Sequence, residues 1–205
     1  MTAHSPLRLG VLVSGTGSNL QAILDAIEAG TLAARVAVVI SNRAEAQALS
    51  RAQTAGVVAL TIAHKNFATR DAFDQALLAA LRAAEVSWVV LAGFMRVLTP
   101  QFLNAFPGRV INIHPTLLPA FPGVNGVQQA LDYGVKVTGC TVHFVDQGVD
   151  SGKIIAQRAG PVRAEDDAAT LGARIHAAEH ELLVSVLSDI ASGCVAPLGT
   201  QAVEA

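Results

Sequence analysis

LRLGVLVSGTGSNLQAILDAIEAG, residues 7–30, decides the class of fold. Leu7 to Ser14 reads as an apolar strand. From Asn19 to Ala29 the residues Leu20, Ile23, Leu24 and Ile27 recur at helical spacing, and Gly30 suits the C-terminal stop. Strand, glycine-bearing turn and helix make the first part of a βαβ unit, and the pattern repeats. Arg35 to Ser41 is a Val/Ile strand, Ala44 to Ala55 a helix ending at Gly56, and Val57 to Ile62 a third strand. Thr69 caps a helix running to about Ala84. Ser87 to Ala92 and Val110 to Ile113 are further strands. Strands alternating with helices predict right-handed crossovers and an α/β fold: an open, twisted, mostly parallel sheet with helices on both faces.

The second half changes character. Gly126 to Tyr133 is a short helix. Thr138 to Phe144 and Lys153 to Gly160 are β-rich, flank a glycine-bearing loop and read as a hairpin, an antiparallel addition towards the C-terminal end. The last helix spans about Ala168 to Ser192, with Leu171, Ile175, Ala178, Leu182, Val186 and Ile190 stepping by three or four.

Composition narrows the function. With 205 residues, 52% hydrophobic and 15% charged, the chain is no disordered segment and suits a single domain. The net charge is −2 and no basic stripe is visible, which argues against nucleic-acid partners. The longest strongly apolar run, Val86 to Met95, is about half the roughly 20 residues of a membrane span, so no membrane partner is expected. The N-terminus lacks a signal-peptide apolar region. Cys140 and Cys194 lie far apart with no CxxC, and His4, His64 and His180 have no ligand-like spacing. A reducing, cytoplasmic setting without a bound metal is expected. Trp88 reads as core.

Three segments could carry chemistry. Ser14-Gly15-Thr16-Gly17-Ser18-Asn19 leads into the first helix, whose first N–H groups lack internal partners and whose dipole is positive there, so the turn suits a phosphate. It reads equally as a tight turn with a polar cap. A dinucleotide fingerprint fits poorly, because Leu20 takes the third glycine's place and the second strand ends in Ser-Asn-Arg. Asn112 and His114 alternate onto one side at the C-terminal end of a predicted parallel strand, where open α/β sheets place ligands. Two N–H donors there suit a developing oxyanion, or else are strand-end residues satisfied by backbone. Asp146 to Gly152 is a turn that could present a carboxylate, which near His114 would favour the imidazolium, or an ordinary Asp/Gly turn. His143 alternates with Cys140 and reads as a packed or supporting histidine.

Gly-Thr-Gly-Ser-Asn at 15–19, Leu-Ala-Gly-Phe-Met-Arg at 91–96, Asn-Ile-His-Pro-Thr-Leu-Leu-Pro at 112–119 and the stretch from Gly134 to Gly152 together resemble the phosphoribosylglycinamide formyltransferases, in the family's order along nearly the whole chain. The resemblance implies a Rossmann-like formyltransferase fold. It implies one formyltransferase domain over 1–205, with a ribonucleotide-phosphate half at 1–110 and a folate-binding and catalytic half at 111–205. It implies transfer of a formyl group from 10-formyltetrahydrofolate, a co-substrate, to the amine of glycinamide ribonucleotide in purine synthesis, without a metal. The family's catalytic Asn, His and Asp fall on Asn112, His114 and Asp150. Ribonucleotide contacts fall on Gly15, Thr16, Gly17, Ser18, Asn19, His176 and Glu179. Folate contacts fall on Arg70, Met95, Arg96, Val97, Leu98, Asn112, Val145, Asp146, Val149 and Asp150. Both partners are small molecules, and monomer or homodimer stays open.

The chain departs from the family at Asn125, where a histidine is common, at Lys153, where proline is frequent, and at His176, where a glutamine stands. Lys153 reads as a surface lysine. Four rivals are weighed against this reading. A formyltetrahydrofolate hydrolase would keep Asn112, His114 and Asp150 but carry an extra N-terminal domain. A nicotinamide-dependent oxidoreductase would use the Gly15/Gly17 turn, with Arg43 favouring a 2′-phosphate. A non-catalytic nucleotide- or folate-binding protein would bind without turnover. A tRNA formyltransferase would want a C-terminal RNA-binding domain and a basic surface.

Overall fold

Seven strands assemble in the order β3-β2-β1-β4-β5-β6-β7. The structure, a computed structural model, describes residues 6–199, so His4 lies outside the described residues. The strands are β1 (Leu7–Val13), β2 (Ala34–Ser41), β3 (Ala59–Thr61), β4 (Trp88–Leu91), β5 (Val110–His114), β6 (Val137–Phe144) and β7 (Ile154–Pro161). The first five run parallel, and β6 and β7 add antiparallel to β5. Both the mostly parallel sheet and the late hairpin expected from the sequence are therefore present.

Side-chain alternation explains the two layers of core. Leu9, Val11 and Val13 of β1 join one apolar cluster and Leu12 joins the other, as the two-residue period of a strand requires. The first cluster takes Leu20, Ile23 and Leu24 from α1 (Ser18–Glu28), Ala48 and Ala52 from α2 (Gln47–Thr54), and Leu171, Ile175, Leu183 and Leu187 from α6 (Ala168–Ala191). The second takes Phe73, Leu77 and Leu81 from α3 (Arg70–Ala83) and Phe102 from α4 (Pro100–Ala105). α5 spans Gly126–Tyr133, as read. Trp88 is buried in the first cluster.

The differences from the sequence reading are local. α4 was not anticipated: six residues are too few for a periodic signal, and its marks are the Thr99 hydroxyl accepting the Phe102 N–H at 3.4 Å and a proline in the first turn. β3 is shorter than Val57 to Ile62 because the Val57 N–H donates to the Ala52 carbonyl at 2.9 Å, closing α2 instead of joining the sheet. α2 starts at Gln47 rather than Ala44, since Ala46 is extended. At α3, the Thr69 hydroxyl accepts the Ala72 N–H as expected.

The strand order positions the crevice. β1 leads through α1 to β2 on one side, while β4 lies on its other side, so the chain reverses direction across the sheet between β1 and β4. Open α/β sheets leave a cleft at the C-terminal ends of strands flanking such a reversal. On β6, burial pushes the Cys140 thiol up to about 12, with the Glu179 charge adding to the effect. Cys194 is exposed. Only the thiolate reacts. One thiol should therefore react rapidly with a disulfide reagent in native protein and a second only after unfolding; two fast thiols would contradict the burial of Cys140.

Candidate active site

A cavity of about 500 Å³ opens at this cleft. Its walls come from Asn19 after β1, residues 93–98 after β4, Asn112 and His114 of β5, the 123–125 turn, the 145–150 loop, and His176 and Glu179 of α6. Asn112 and His114 do share one side of β5, as alternation predicted.

Asp150 reaches them from the loop joining β6 to β7. Its Oδ2 lies 3.2 Å from His114 Nδ1 and accepts the Gly123 N–H at 2.7 Å. Its Oδ1 accepts from Asn112 Nδ2 at 3.3 Å and lies 3.6 Å from His143 Nε2. Burial pushes the Asp150 carboxyl up, but the bonds from His143 and Gly123 and the charge of His114 outweigh it, holding the group below the ordinary carboxylate value. Asp150 adopts φ +52°, and Phe121 and Asn125 nearby are also left-handed at +54° and +61°. Such non-glycine conformations cluster where surrounding structure enforces a geometry. At Gly152 a Cβ would sit 1.8 Å from the Phe144 carbonyl oxygen, so only glycine lets the loop turn back here.

His114 has an acceptor at each ring nitrogen: the Asp150 carboxylate at Nδ1 and the Phe121 carbonyl, 3.0 Å away, at Nε2. An imidazolium satisfies both with donated N–H bonds. His143 stands directly opposite Asn112 in the β5–β6 ladder. Its Nδ1 lies 2.8 Å from the Phe144 carbonyl, and its Nε2 lies 3.1 Å from Asn112 Nδ2 and 3.6 Å from Asp150 Oδ1. His143 is thus both packed and supporting. What alternation alone missed was its register opposite Asn112. The donors of Asn112 and His114 are engaged with protein partners, so an incoming oxygen has to displace one of those bonds.

The other end of the cavity is polar. Glu179, buried, accepts from Asn19 Nδ2 at 3.2 Å and pairs with His176 Nδ1 at 2.7 Å, both through Oε2. Asn19 Oδ1 is buried without a partner. The bond to Glu179 raises the His176 pKa, with burial opposing it. The mouth is apolar: Met95, Val97, Val124 and Val149 are all exposed.

Five of the residues expected in the site do not line this cavity. Gly15, Thr16, Gly17 and Ser18 turn back onto α2: Ala48 N–H donates to the Gly15 carbonyl at 3.1 Å and Arg51 Nε to the Thr16 carbonyl at 2.8 Å. Gly17, at φ +75°, lies so close to Ala48 that a Cβ would come within 2.5 Å of the Ala48 Cβ. No side chain caps α1, so its first N–H groups remain available to an anion at the rim. Arg70 is exposed at the start of α3, outside the lining. The remaining expected residues, Asn19, Met95, Arg96, Val97, Leu98, Asn112, His114, Val145, Asp146, Val149, Asp150, His176 and Glu179, all line the cavity, as does Asn125. Lys153 is exposed and does not.

Below the ordinary imidazole value of about 6.5 the His176–Glu179 pair contributes its full stabilisation, which is lost as pH rises through the raised His176 value. The stability gap between wild type and His176→Gln in urea unfolding should be largest near about pH 5.5 and narrow by about pH 9. A gap that widens with pH would contradict the pairing.

Comparison with known proteins follows this geometry. Residues 7–187 match the formyl transferase family. Over 198 residues the chain is 50% identical to a phosphoribosylglycinamide formyltransferase of Mycobacterium tuberculosis, covering 97% of this chain and 91% of that one. It is 49% identical over 195 residues to the trifunctional purine biosynthetic protein adenosine-3 of Drosophila melanogaster, spanning 94% of this chain but only 14% of that protein. Glycinamide ribonucleotide transformylase 1 of Symbiobacterium toebii superposes with a TM-score of 0.92 at 50% identity, covering 95% of this chain and 92% of that one.

Proposed function

We propose that this chain, which belongs to the formyl transferase family, transfers the formyl group of 10-formyltetrahydrofolate to the amine of glycinamide ribonucleotide, a step of purine synthesis. The observation that carries the reading is the Asp150–His114 pair at 3.2 Å with Asn112 beside it, in a cavity polar at one end and apolar at the other. We take the chain as one functional domain whose 1–110 half supplies the phosphate turn and whose 111–205 half supplies the catalytic groups. Both reactants are small molecules, and no metal enters the mechanism.

The apolar rim suits the flat heterocycle of a folate, which would cover side chains now exposed. Met95, Arg96, Val97, Leu98, Val145, Asp146 and Val149 are its walls. The polar end suits the ribonucleotide. Asn19 Oδ1, buried without a partner, calls for a hydroxyl or amide donor there. The phosphate would sit on the uncapped N–H groups of α1 along the 15–19 turn.

The substrate amine attacks the formyl carbon, so the protein supplies no nucleophile. The carbonyl oxygen gains negative charge as the C–N bond forms. Asn112 exchanges its 3.3 Å bond to Asp150, the longer of its two, for this oxygen, and the imidazolium of His114 stabilises it through Nε2–H in place of the Phe121 carbonyl. Asp150, held ionised, accepts the proton released by the amine, directly or through water. Collapse breaks the bond from the formyl carbon to the folate nitrogen, which takes the proton back from Asp150, directly or through water, and leaves as tetrahydrofolate.

The test is loss of 10-formyltetrahydrofolate absorbance with and without glycinamide ribonucleotide. Amine-dependent loss is expected; amine-independent loss would mean a hydrolase, and none a binding protein. Asp150→Asn should lower kcat by at least about a hundredfold with folding retained, and near-normal turnover would remove its role. Asn19→Ala should mainly raise the KM for the ribonucleotide, and an unchanged KM would remove that assignment.

A further inference from the structure

A buried hydroxyl outside the catalytic set ties one wall of the cavity to neighbouring strand ends. Ser14 ends the β1 run just before the 15–19 turn and is buried. Its Oγ accepts the Met95 N–H at 2.8 Å and donates to Asn42 Oδ1 at 2.6 Å. Asn42, also buried, follows β2, and its Nδ2 lies 3.3 Å from His64 Nδ1. One hydroxyl therefore links the ends of β1 and β2 to the segment after β4.

That segment needs the link. Its flanks are anchored, with the Ala92 N–H donating to the Leu12 carbonyl at 2.9 Å and the Thr99 N–H to Asp74 Oδ2 at 2.7 Å. Between them, among the described residues, the Met95 N–H makes the one main-chain bond to another segment. Gly93 is left-handed at φ +74°, and the Met95 side chain stands exposed at the cavity mouth. The 15–19 turn, by contrast, has its own anchors on α2, at Ala48 and Arg51.

We propose that Ser14 is a positioning residue that sets the 93–98 wall of the cavity against the strand ends, and so tunes affinity for the formyl donor without touching either substrate. The proposal rests on the reading of that wall as the folate subsite. Removing the hydroxyl takes away the partner of the Met95 N–H, and the segment relaxes between its two flanks. The ribonucleotide turn, separately anchored, stays in place. Asn42 bears on the wall through the Ser14 hydroxyl, which donates to its Oδ1.

The experiment is steady-state kinetics of wild type, Ser14→Ala, Asn42→Ala and the double variant, varying each substrate at saturation of the other. Ser14→Ala should raise the KM for 10-formyltetrahydrofolate about tenfold, with kcat and the ribonucleotide KM each within about threefold of wild type. Asn42→Ala should do the same to a smaller degree, and the double variant should be no worse than Ser14→Ala alone. An unchanged donor KM, equal rises in both KM values, a loss confined to kcat, or additive effects of the two substitutions would each overturn the proposal. If Ser14→Ala fails to fold, as circular dichroism would report, Asn42→Ala carries the same test alone. Absence of amine-dependent transfer by wild type would instead overturn the functional reading, and the two failures are separable because one is read on wild type. In that event, fluorescence titration of wild type and Ser14→Ala with tetrahydrofolate decides for Ser14: weaker binding by the variant supports it and equal binding overturns it.

Discussion

The carboxylate of Asp150 sits at the join of four segments. It takes the Gly123 N–H from the turn before α5, faces His114 and Asn112 from β5, and approaches His143 from β6. A charge withdrawn from water in this way is costly unless every neighbour offers it a hydrogen or a compensating charge. That requirement makes the site a unit. The left-handed backbone at Asp150, the glycine at 152 and the antiparallel pairing of β6 with β5 all serve to bring one carboxyl group to one imidazole.

The sheet supplies the frame for that unit. Parallel strands end at a common edge, and the reversal between β1 and β4 leaves the edge uncovered. Most walls of the cavity follow strand ends and α6 closes the polar end, so the geometry is set by the sheet and adjusted by a few polar links: Asn19 to Glu179 across α1 and α6, Asp74 to Thr99 at the start of α4, and Ser14 between β1 and the segment after β4. The donors that face the reacting position are already bonded to protein. This gives defined orientations before ligand arrives, at the expense of exchanging partners when it does.

Much of this was legible in the chain. The periodic apolar residues of α1, α3 and α6 and the Val/Ile runs of the strands carried the architecture, and alternation placed Asn112 and His114 together. The union of Asp150 with them was not legible from local pattern, since it lies 38 residues from Asn112 and is made by turn residues common everywhere. Only the resemblance pointed to it. The role of His143 depends on the β5–β6 register, which period-two patterning leaves undetermined. Ser14 stands at the head of the glycine turn in the sequence, but its link to Met95, like the parts played by Asn42 and Asp74, was not legible, because a short polar side chain acquires meaning only from the group it meets. Arg70 and the first residues of the glycine turn were expected at the cavity and do not line it; the turn is held back on α2 instead.

The sheet's two borders also differ in a way that bears on how the protein behaves at high concentration. β3, at one border, is three residues long and offers few unpaired amides as a template for a foreign strand. β7, at the other, is eight residues long, but it carries Arg158, paired with Glu181 of α6, and ends at Pro161, which has no amide hydrogen to donate. Brevity on one side and charge with proline on the other are the means by which sheets discourage fibrous self-association.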